Sequence, residues 1–349
     1  MHTKERLLFF TIFFLLLAPV SASAQLILPI VNSPVSFVLT PNNPGPNERV
    51  TIRIDSHSVD LDRATIDWFL DGGLLERGDG LKTIRIETGD LGSETNVSVL
   101  VRPDEVTEIF DQITIRPTSI SVLWEADTYT PPFYRGRALA TTHSDVLVEA
   151  YPHAKNQSGN DIPAGDFVFT WRKNGGIIEE ISGRGRSTAR IPGPLLFGED
   201  IISVEAVSVD NRHKAVETIR IPAVEPHISL HREDPLLGIM YHNALTSSDS
   251  IPIADVLLAA VPFYMSTKSP YDSEISYVWN INGQTVATDP RNPFRIILRL
   301  SGGMVGTANI SLSVSHIEHF LQSVEKTWNL AVSADVVDTQ NDPFFRNIN

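Results

Sequence analysis

The segment at residues 124–139 is the part of the sequence whose side chains are best suited to bind a ligand. It combines aromatic rings, carboxylates and guanidinium groups, and its candidate binding residues are Trp124, Asp127, Tyr129, Phe133, Tyr134, Arg135 and Arg137. Ligand sites are lined mainly by aromatic and apolar side chains, with a few polar groups that fix the orientation of the ligand. The segment is therefore a candidate site for a carbohydrate or a peptide.

A weaker copy of this segment, at residues 229–245, supports a different interpretation. Tyr134 aligns with Tyr241, and Ala138-Leu139 aligns with Ala244-Leu245. A packing element is repeated from domain to domain, whereas a ligand site need not be. We therefore interpret the segment as a structural loop after the first strand of a domain, which covers the end of that domain or its joint with the preceding one. Packing would bury the aromatic rings, whereas ligand binding, the alternative, would leave them exposed.

Neither the aspartates nor the histidines have a metal-binding spacing. Calcium needs about six to eight oxygen ligands, and the sequence has no Asp-x-Asp-x-Asp-Gly loop. His227 and His231 lie in a predicted strand, where a spacing of four does not bring side chains together as it does on a helix. We expect no metal and no other cofactor, and we predict that one group of aspartates is solvated and turn-forming: Asp55, Asp60, Asp62, Asp67 and Asp71.

Catalytic motifs are also absent from the sequence. It contains no Gly-x-Ser-x-Gly, no His-Glu-x-x-His, no phosphate-binding glycine loop and no cysteine. The formal net charge is -14, from 28 basic and 42 acidic residues. Because an acidic surface repels a phosphate backbone, nucleic-acid binding is not expected. The sequence therefore favours a non-enzymatic protein that does not bind nucleic acid.

The first 24 residues have the three parts of a secretory signal peptide. Lys4 and Arg6 form a basic start, residues 7–20 form an apolar run, and Ala22-Ser23-Ala24 matches the small-x-small cleavage pattern. The apolar run is shorter than the roughly 20 residues that a spanning helix needs. We expect cleavage after Ala24, an extracellular or cell-surface location, and no membrane span after cleavage. An exported chain without cysteine indicates a bacterial protein.

A tryptophan repeat organises the rest of the chain. The segments 65–72, 168–175 and 276–283 each read as a strand with a central tryptophan, followed three residues later by Asp-Gly or Asn-Gly. These dipeptides are strong hairpin signals because both residues tolerate positive φ. The tryptophans are 103 and 108 residues apart, which is about the length of one immunoglobulin-type sandwich. We predict that the repeat marks three domains, with one core tryptophan in each: Trp68, Trp171 and Trp279.

Alternating strands and prolines set the expected domain boundaries. In residues 309–315, for example, Ile310, Leu312 and Val314 alternate with serines, which is typical of a strand with one buried face. Pro117 and Pro222 follow predicted closing strands, and proline ends a strand because it cannot donate to the ladder. We divide the chain into a signal peptide at 1–24, an N-terminal lead at 25–32, immunoglobulin-like domains at 33–117, 118–222 and 223–333, and a C-terminal tail at 334–349. Such short links predict a semi-rigid rod.

The mid-strand tryptophan, the Asn-Gly or Asp-Gly turn and the later alternating strand resemble bacterial immunoglobulin-like and PKD-like modules of exported cell-surface proteins. The resemblance covers about residues 33–333 and implies an all-β fold of three tandem immunoglobulin-like β-sandwich domains after the signal peptide. The antibody cysteines and the PKD-type Gly-Asp-Gly are missing, so the subfamily stays open. The segment 124–139 is also slightly similar to uncharacterised exported, pilus-associated bacterial proteins.

Three functions are compatible with these observations. The leading hypothesis is a non-enzymatic secreted or cell-surface protein of structural or adhesion type, with an unidentified protein or glycan partner outside the cell. The first alternative is a carbohydrate- or peptide-binding module that uses the loop at 124–139. The second is a component of envelope or pilus assembly, which would join a larger structure through exposed strand edges.

Overall fold

The computed structural model of the protein describes residues 33–299 and 305–333. The predicted signal peptide, the N-terminal lead and the C-terminal tail lie outside the described residues. The described chain is built from strands, with two short 3₁₀ turns at Ala164–Asp166 and Glu179–Ile181. None of the helices in these residues is long and apolar enough to cross a bilayer.

Domain 1 is a sandwich of a three-stranded and a four-stranded antiparallel sheet. Its strands are β1 (Val35–Thr40), β2 (Arg49–Ser56), β3 (Thr65–Leu70), β4 (Gly73–Asp79), β5 (Thr83–Glu87), β6 (Thr95–Arg102) and β7 (Ile109–Ile115). The sheet orders are β1-β2-β5 and β4-β3-β6-β7. The period-two pattern places Val50, Ile52 and Ile54 of β2 in the core, and Val97, Val99 and Val101 of β6 complete it.

Domain 2 repeats this plan. Its strands are β8 (Ser119–Ala126), β9 (Asp145–His153), β10 (Phe167–Lys173), β11 (Gly176–Ile177), β12 (Gly183–Arg184), β13 (Thr188–Pro192), β14 (Glu199–Ser208) and β15 (Lys214–Pro222). One sheet has the order β13-β9-β8 and the other β11-β10-β14-β15, with β12 also paired to β10. The fourth strand thus lies beside the third, whereas in a constant-type immunoglobulin domain it joins the opposite sheet.

Domain 3 adds two strands to the same plan. Its strands are β16 (His227–Asp234), β17 (Gly238–Leu245), β18 (Ser250–Pro252), β19 (Val256–Phe263), β20 (Ile275–Ile281), β21 (Gln284–Val286), β22 (Arg295–Leu298), β23 (Gly306–His316) and β24 (Ser323–Ser333). The sheets are β17-β16-β19-β22 and β18-β24-β23-β20-β21, and β18 runs parallel to β24. The predicted fold class of three tandem immunoglobulin-like β-sandwiches is confirmed.

The tryptophan repeat has one structural role in all three domains. Trp68, Trp171 and Trp279 are fully buried in three separate cores. Each indole Nε1 donates to a backbone carbonyl shortly before β5, β13 or β22 of its own domain. The distances are 2.8 Å to Leu81, 2.8 Å to Arg186 and 3.0 Å to Pro293. The ring therefore fills the core while its only polar atom stays paired, as a buried indole requires.

The Asp-Gly and Asn-Gly dipeptides do more than close a hairpin. Asp71, Asn174 and Asn282 have φ of 48°, 50° and 50°, and each is followed by a glycine with positive φ. Each donates its backbone N–H to a carbonyl at or near the start of the neighbouring long strand, and its Oδ1 accepts the N–H of the same residue. The partner residues are Asn96, Ile201 and Asn309. This two-way clip explains why an Asx residue recurs three positions after each tryptophan.

Replacing Trp171 with alanine should destabilise domain 2 by roughly 3–5 kcal/mol, because it leaves a large cavity. Trp171→Phe keeps most of the ring volume but leaves the Arg186 carbonyl without its donor, so it should cost less, about 1–3 kcal/mol. Differential scanning calorimetry of the full chain would measure both. Leu123→Ala, at an exposed position of the same domain, should stay within about 0.5 kcal/mol of the parent, and an equal loss in all three variants would contradict the core role.

Candidate functional site at the joint between domains 2 and 3

The aromatic loop lies at the joint between domains 2 and 3. It connects β8 to β9, and the Tyr129 N–H donates to the Met265 carbonyl at 2.8 Å, while the Tyr264 N–H donates to the Tyr129 carbonyl at 2.9 Å. Met265 and Tyr264 follow β19 of domain 3. Of the two expected positions, the end of its own domain and the joint with the preceding domain, the loop occupies the first, and the joint that it covers there is the one with the following domain.

Two of the predicted residues, Tyr129 and Tyr241, come together across this joint. The half-buried side chain of Tyr129 lies beside the phenol of Tyr241 on β17. Burial and the nearby Tyr241 raise the pKa of the Tyr129 hydroxyl. Tyr241 does not occupy a loop like that of Tyr134, because the residue 229–245 copy folds as a β16–β17 hairpin. The aligned tyrosines are thus not structurally equivalent.

Tyr134 packs on domain 3. Its hydroxyl shares a 2.6 Å hydrogen bond with the hydroxyl of Tyr264, and its ring meets those of Phe263 and Tyr264 edge-on at 5.7 and 6.4 Å. Burial and this hydrogen bond raise the pKa of Tyr264 to about 12. His227 lies on β16, the neighbour of β19, and its ring stacks on that of Phe263 with the centroids 4.3 Å apart. The contacts form an aromatic cluster that joins the two domains.

Of the remaining predicted site residues, three are engaged and two are exposed. The Arg137 guanidinium lies 3.9 Å from the centroid of the Trp124 ring, which packs on the domain 2 core. Asp127 accepts from Arg190 of its own domain at 2.7 Å and forms an ion pair with Lys268 of domain 3. Arg135 is exposed, and the Phe133 side chain is 92% exposed. The expectation that packing buries every ring therefore does not hold for Phe133, and it holds only in part for Tyr134, whose side chain packs on domain 3 but is 38% exposed.

Two further contacts of the joint were missed by sequence reasoning. The His143 ring of domain 2 stacks on His319 of domain 3 at 5.7 Å and 15°, and His316 lies 4.5 Å from His319. Gln322 is fully buried, and its Nε2 donates to the Thr142 carbonyl at 2.6 Å. Gln322 directly precedes β24, the last strand of its domain.

The joint between domains 1 and 2 also has a buried polar residue directly before the last strand of the second domain. His213 directly precedes β15, is buried, and shares a 3.2 Å hydrogen bond between its Nδ1 and Thr118 Oγ1 of the link. Glu94 of domain 1 binds Arg116 at 2.8 Å and Arg212 of domain 2 at 2.9 Å. A polar residue just before the last strand is therefore the sequence signal that could have located both joints.

Backbone strain is concentrated at the second joint. Among the described residues, eight non-glycine residues have positive φ, and five of them are Asn or Asp, which tolerate it. The other three are Phe133, His143 and Tyr264, with φ of 66°, 63° and 62°. A bulky residue keeps this conformation only where its surroundings hold it there. His143 and Tyr264 are held by the ring stack and by the backbone bond to Tyr129.

The aspartate group does not form a metal site. Within residues 33–299 and 305–333, no three His, Asp or Glu side chains are placed to hold a metal ion. The prediction that Asp67 is solvated is wrong. Arg77 donates to both oxygens of this carboxylate at 2.6 Å, and Arg102 donates to one of them at 2.8 Å. The Arg77 hydrogen bond is the main cause of a lowered pKa for this buried carboxyl. Asp67 therefore ties together three strands of the four-stranded sheet.

No protein-family model matches the chain, and no curated protein matches it. The solved fibronectin(III)-like modules of Clostridium thermocellum CbhA are similar at 12% identity and a TM-score of 0.26, over 54% of this chain and 94% of that one. The central fibronectin-III array of RIM-binding protein is similar at 15% identity and a TM-score of 0.29, over 87% of this chain and 97% of that one.

A third similar structure is the Bacteroides ovatus mixed-linkage glucan utilization locus protein SGBP-B, solved in complex with a mixed-linkage heptasaccharide. It is 13% identical with a TM-score of 0.22, over 83% of this chain and 65% of that one. The resemblance to immunoglobulin-like modules that the sequence indicated is confirmed at the level of fold. The strand order described above is the basis for that assignment.

Removing the Tyr129 side chain should loosen the second joint. Tyr129→Ala deletes the half-buried ring that lies beside Tyr241 of domain 3. We therefore expect a loss of roughly 1–3 kcal/mol in the free energy of unfolding and faster hydrogen exchange of the Tyr264 amide, which donates to the Tyr129 carbonyl. Exchange followed by mass spectrometry would measure this. Phe133→Ala, in the same loop but exposed, is the matched control and should change neither quantity. Equal exchange in the two variants would refute the role of Tyr129.

Acid should weaken the folded chain through four histidines whose pKa is lowered in the folded state. Partial burial, and then His316 and His143, lower the pKa of His319, and desolvation of the ring lowers the pKa of His213, His227 and His231. The unfolded chain therefore binds protons near pH 6.5 while the folded chain does not. The contribution of these neutral histidines to the free energy of unfolding is fully present above about pH 6.5 and is lost as the pH falls below that value.

The melting temperature should therefore be lower at about pH 5 than at about pH 7.5, and His319→Gln should reduce the difference. His57→Gln, at an exposed position of domain 1, should leave the difference unchanged. A melting temperature that is the same at both pH values would exclude this linkage.

Proposed function

We propose that the protein is a non-enzymatic structural protein of the cell exterior that holds three immunoglobulin-like domains at fixed spacing and orientation. The observation that carries this proposal is the backbone exchange between Tyr129 and residues 264–265. Domains that move independently of one another would be joined by flexible, solvated linkers. Here a loop of one domain completes the backbone hydrogen bonding of the next, which supports a stiff connection.

The first joint supports the same function with different chemistry. Its link places the Thr118 N–H 3.4 Å from the Pro44 carbonyl of domain 1 and the Thr118 hydroxyl beside His213 of domain 2. Glu94 adds an ion pair that crosses the joint. Contacts that reach from the link into both neighbours limit bending there as well.

The proposed location and the proposed non-enzymatic role rest on the sequence. The basic start, apolar run and small-x-small site at residues 1–24 favour export, and the absence of cysteine and of catalytic motifs favours a non-enzymatic bacterial surface protein. A protein or a glycan outside the cell would then be the partner.

The loop-binding alternative has less support from the geometry. Trp124 is covered by Arg137, Tyr129 lies beside Tyr241, and Tyr134 packs on Phe263 and Tyr264. A sugar-binding surface requires free aromatic faces, and Phe133 is the aromatic residue of this loop that is fully available. The assembly alternative is favoured by a different observation, the exposed Leu195-Leu196-Phe197 run at the second joint.

Spin labels can test the fixed spacing, because the chain contains no cysteine to remove. Labels on Leu74→Cys with Val168→Cys span the first joint, and labels on Val168→Cys with Val278→Cys span the second; all three positions are exposed strand residues. We expect one narrow distance distribution for each pair by electron–electron double resonance.

Tyr129→Ala should broaden the distribution of the second pair and leave that of the first unchanged. Broad distributions for both pairs in the otherwise unaltered chain would refute the rigid-spacer function. The first pair serves as the internal control, because Tyr129 does not contribute to that joint.

A further inference from the structure

Two loops at the second joint expose large apolar side chains. The loop between β13 and β14 of domain 2 presents Leu195, Leu196 and Phe197, and the loop between β23 and β24 of domain 3 presents Ile317 and Phe320. All five side chains are between 54% and 78% exposed. Three consecutive exposed apolar residues are unusual on a water-soluble domain unless they contact a partner.

The two loops are anchored to the same pair of histidines. The His143 N–H donates to the Pro194 carbonyl at 2.9 Å, directly before the first apolar run, and the His143 ring stacks on His319. His319 itself lies between Ile317 and Phe320 in the sequence. The stack therefore brings an apolar loop of domain 2 and an apolar loop of domain 3 to one side-chain contact.

The domain 2 loop is also held firmly at its base. The Gly193 N–H donates to the Ser144 carbonyl at 2.8 Å, and a Cβ atom at Gly193 would lie 2.3 Å from that oxygen. The Ala223 N–H donates to the Gly198 carbonyl at 2.7 Å at the other end. Because both ends are fixed, exposure of the apolar tip is a property of the fold and not of a loose loop.

A cleft of about 450 Å³ opens beside the stack, and carboxylates dominate its charge. Its charged lining is Asp127, Asp145, Asp272, Glu274 and the ammonium of Lys268. Lys268 binds Asp127, Arg190 binds Asp127 at 2.7 Å and Asp145 at 3.5 Å, and Glu274 Oε2 lies 3.4 Å from His316 Nε2. The carboxylates still outnumber these cations, and the Asp145 and Glu274 side chains are nearly half exposed. The Ile317 N–H donates to the Glu274 carbonyl, so one apolar loop borders these carboxylates directly. Their field favours a ligand that carries positive charge.

We propose that a composite surface, made of the loops 194–198 and 317–320 and the acidic cleft beside the His143–His319 stack, docks a segment of another protein that combines apolar and basic side chains. The inference rests on the proposed function, because only a fixed joint keeps both loops together. The carboxylates disfavour an anionic lipid surface, which they would repel. They also disfavour a second copy of this chain, because a two-fold contact would place the same acidic cleft against itself.

Three peptide probes and one vesicle probe can test the docking surface. The first peptide alternates leucine or phenylalanine with lysine; the second replaces every lysine with glutamate; the third replaces every apolar residue with serine. Fluorescence anisotropy of labelled peptides would measure affinity for the full chain. We expect binding of the first peptide, with affinity at least about tenfold weaker for each of the others.

The variants separate this loop from other exposed leucines. Leu195→Ser with Leu196→Ser should weaken binding of the first peptide by about tenfold or more. Leu236→Ser with Leu237→Ser is the matched control, because these exposed leucines also follow a proline but lie at the tip of the β16–β17 hairpin. The control variant should bind like the parent.

Several results would overturn the proposal. They are equal affinity for the lysine and glutamate peptides, no binding of any peptide, or equal loss in both leucine variants. If the parent chain binds phosphatidylglycerol vesicles and Leu195→Ser with Leu196→Ser abolishes that binding, the surface is a lipid-binding surface. If the parent chain self-associates in sedimentation velocity and the same double variant abolishes the association, the surface binds a second copy. If the spin-label distances stay narrow while peptide binding fails, the docking site alone is refuted; broad distances refute the proposed function first.

Discussion

The geometry of the whole chain depends most on the pair of backbone hydrogen bonds between Tyr129 and residues 264–265. Each sandwich has its own core, so the folding of one domain does not fix the direction of the next. The exchange at Tyr129 supplies that constraint, because a buried N–H and a carbonyl of one domain find their partners in the other. The Tyr134, His143 and Gln322 contacts surround this pair and hold it in place.

The strained backbone of Tyr264 and His143 and the polar contacts of the second joint occur at the same residues. Tyr264 and His143 adopt positive φ so that the Tyr264 N–H meets the Tyr129 carbonyl and the His143 ring meets His319. Such conformations cost about 1–3 kcal/mol each and persist only where neighbouring contacts offset that cost. The contacts that hold them are hydrogen bonds and ring stacks, not a continuous apolar core. A joint of this kind keeps a defined geometry while the two domains remain separate folding units.

The fold was predictable from the sequence because its signals are local. A period of two, a central tryptophan and an Asx-Gly turn each occupy fewer than ten consecutive residues, so three copies identify three sandwiches. The joint was not predictable in the same way, since Tyr134 and Tyr264 are 130 residues apart and Gln322 and Thr142 are 180 apart. The partial copy at 229–245 misled for a physical reason. In domain 2 the loop takes its backbone partners from domain 3, whereas in domain 3 the corresponding residues pair with β16 as a hairpin.

The histidine stack couples the joint to the apolar surface beside it. His143 fixes the domain 2 loop through Pro194, and His319 lies within the domain 3 loop, so the ring stack is one of the contacts that keep the two apolar tips together. A ligand that binds both tips must therefore stabilise the stacked arrangement, and by thermodynamic reciprocity a stacked joint must bind that ligand more tightly than an open one. A proton on His319 would place a positive charge beside His316 and His143, whose proximity already lowers the pKa of His319. Acid is therefore expected to weaken this contact, and with it one of the supports that hold the two apolar loops at the joint.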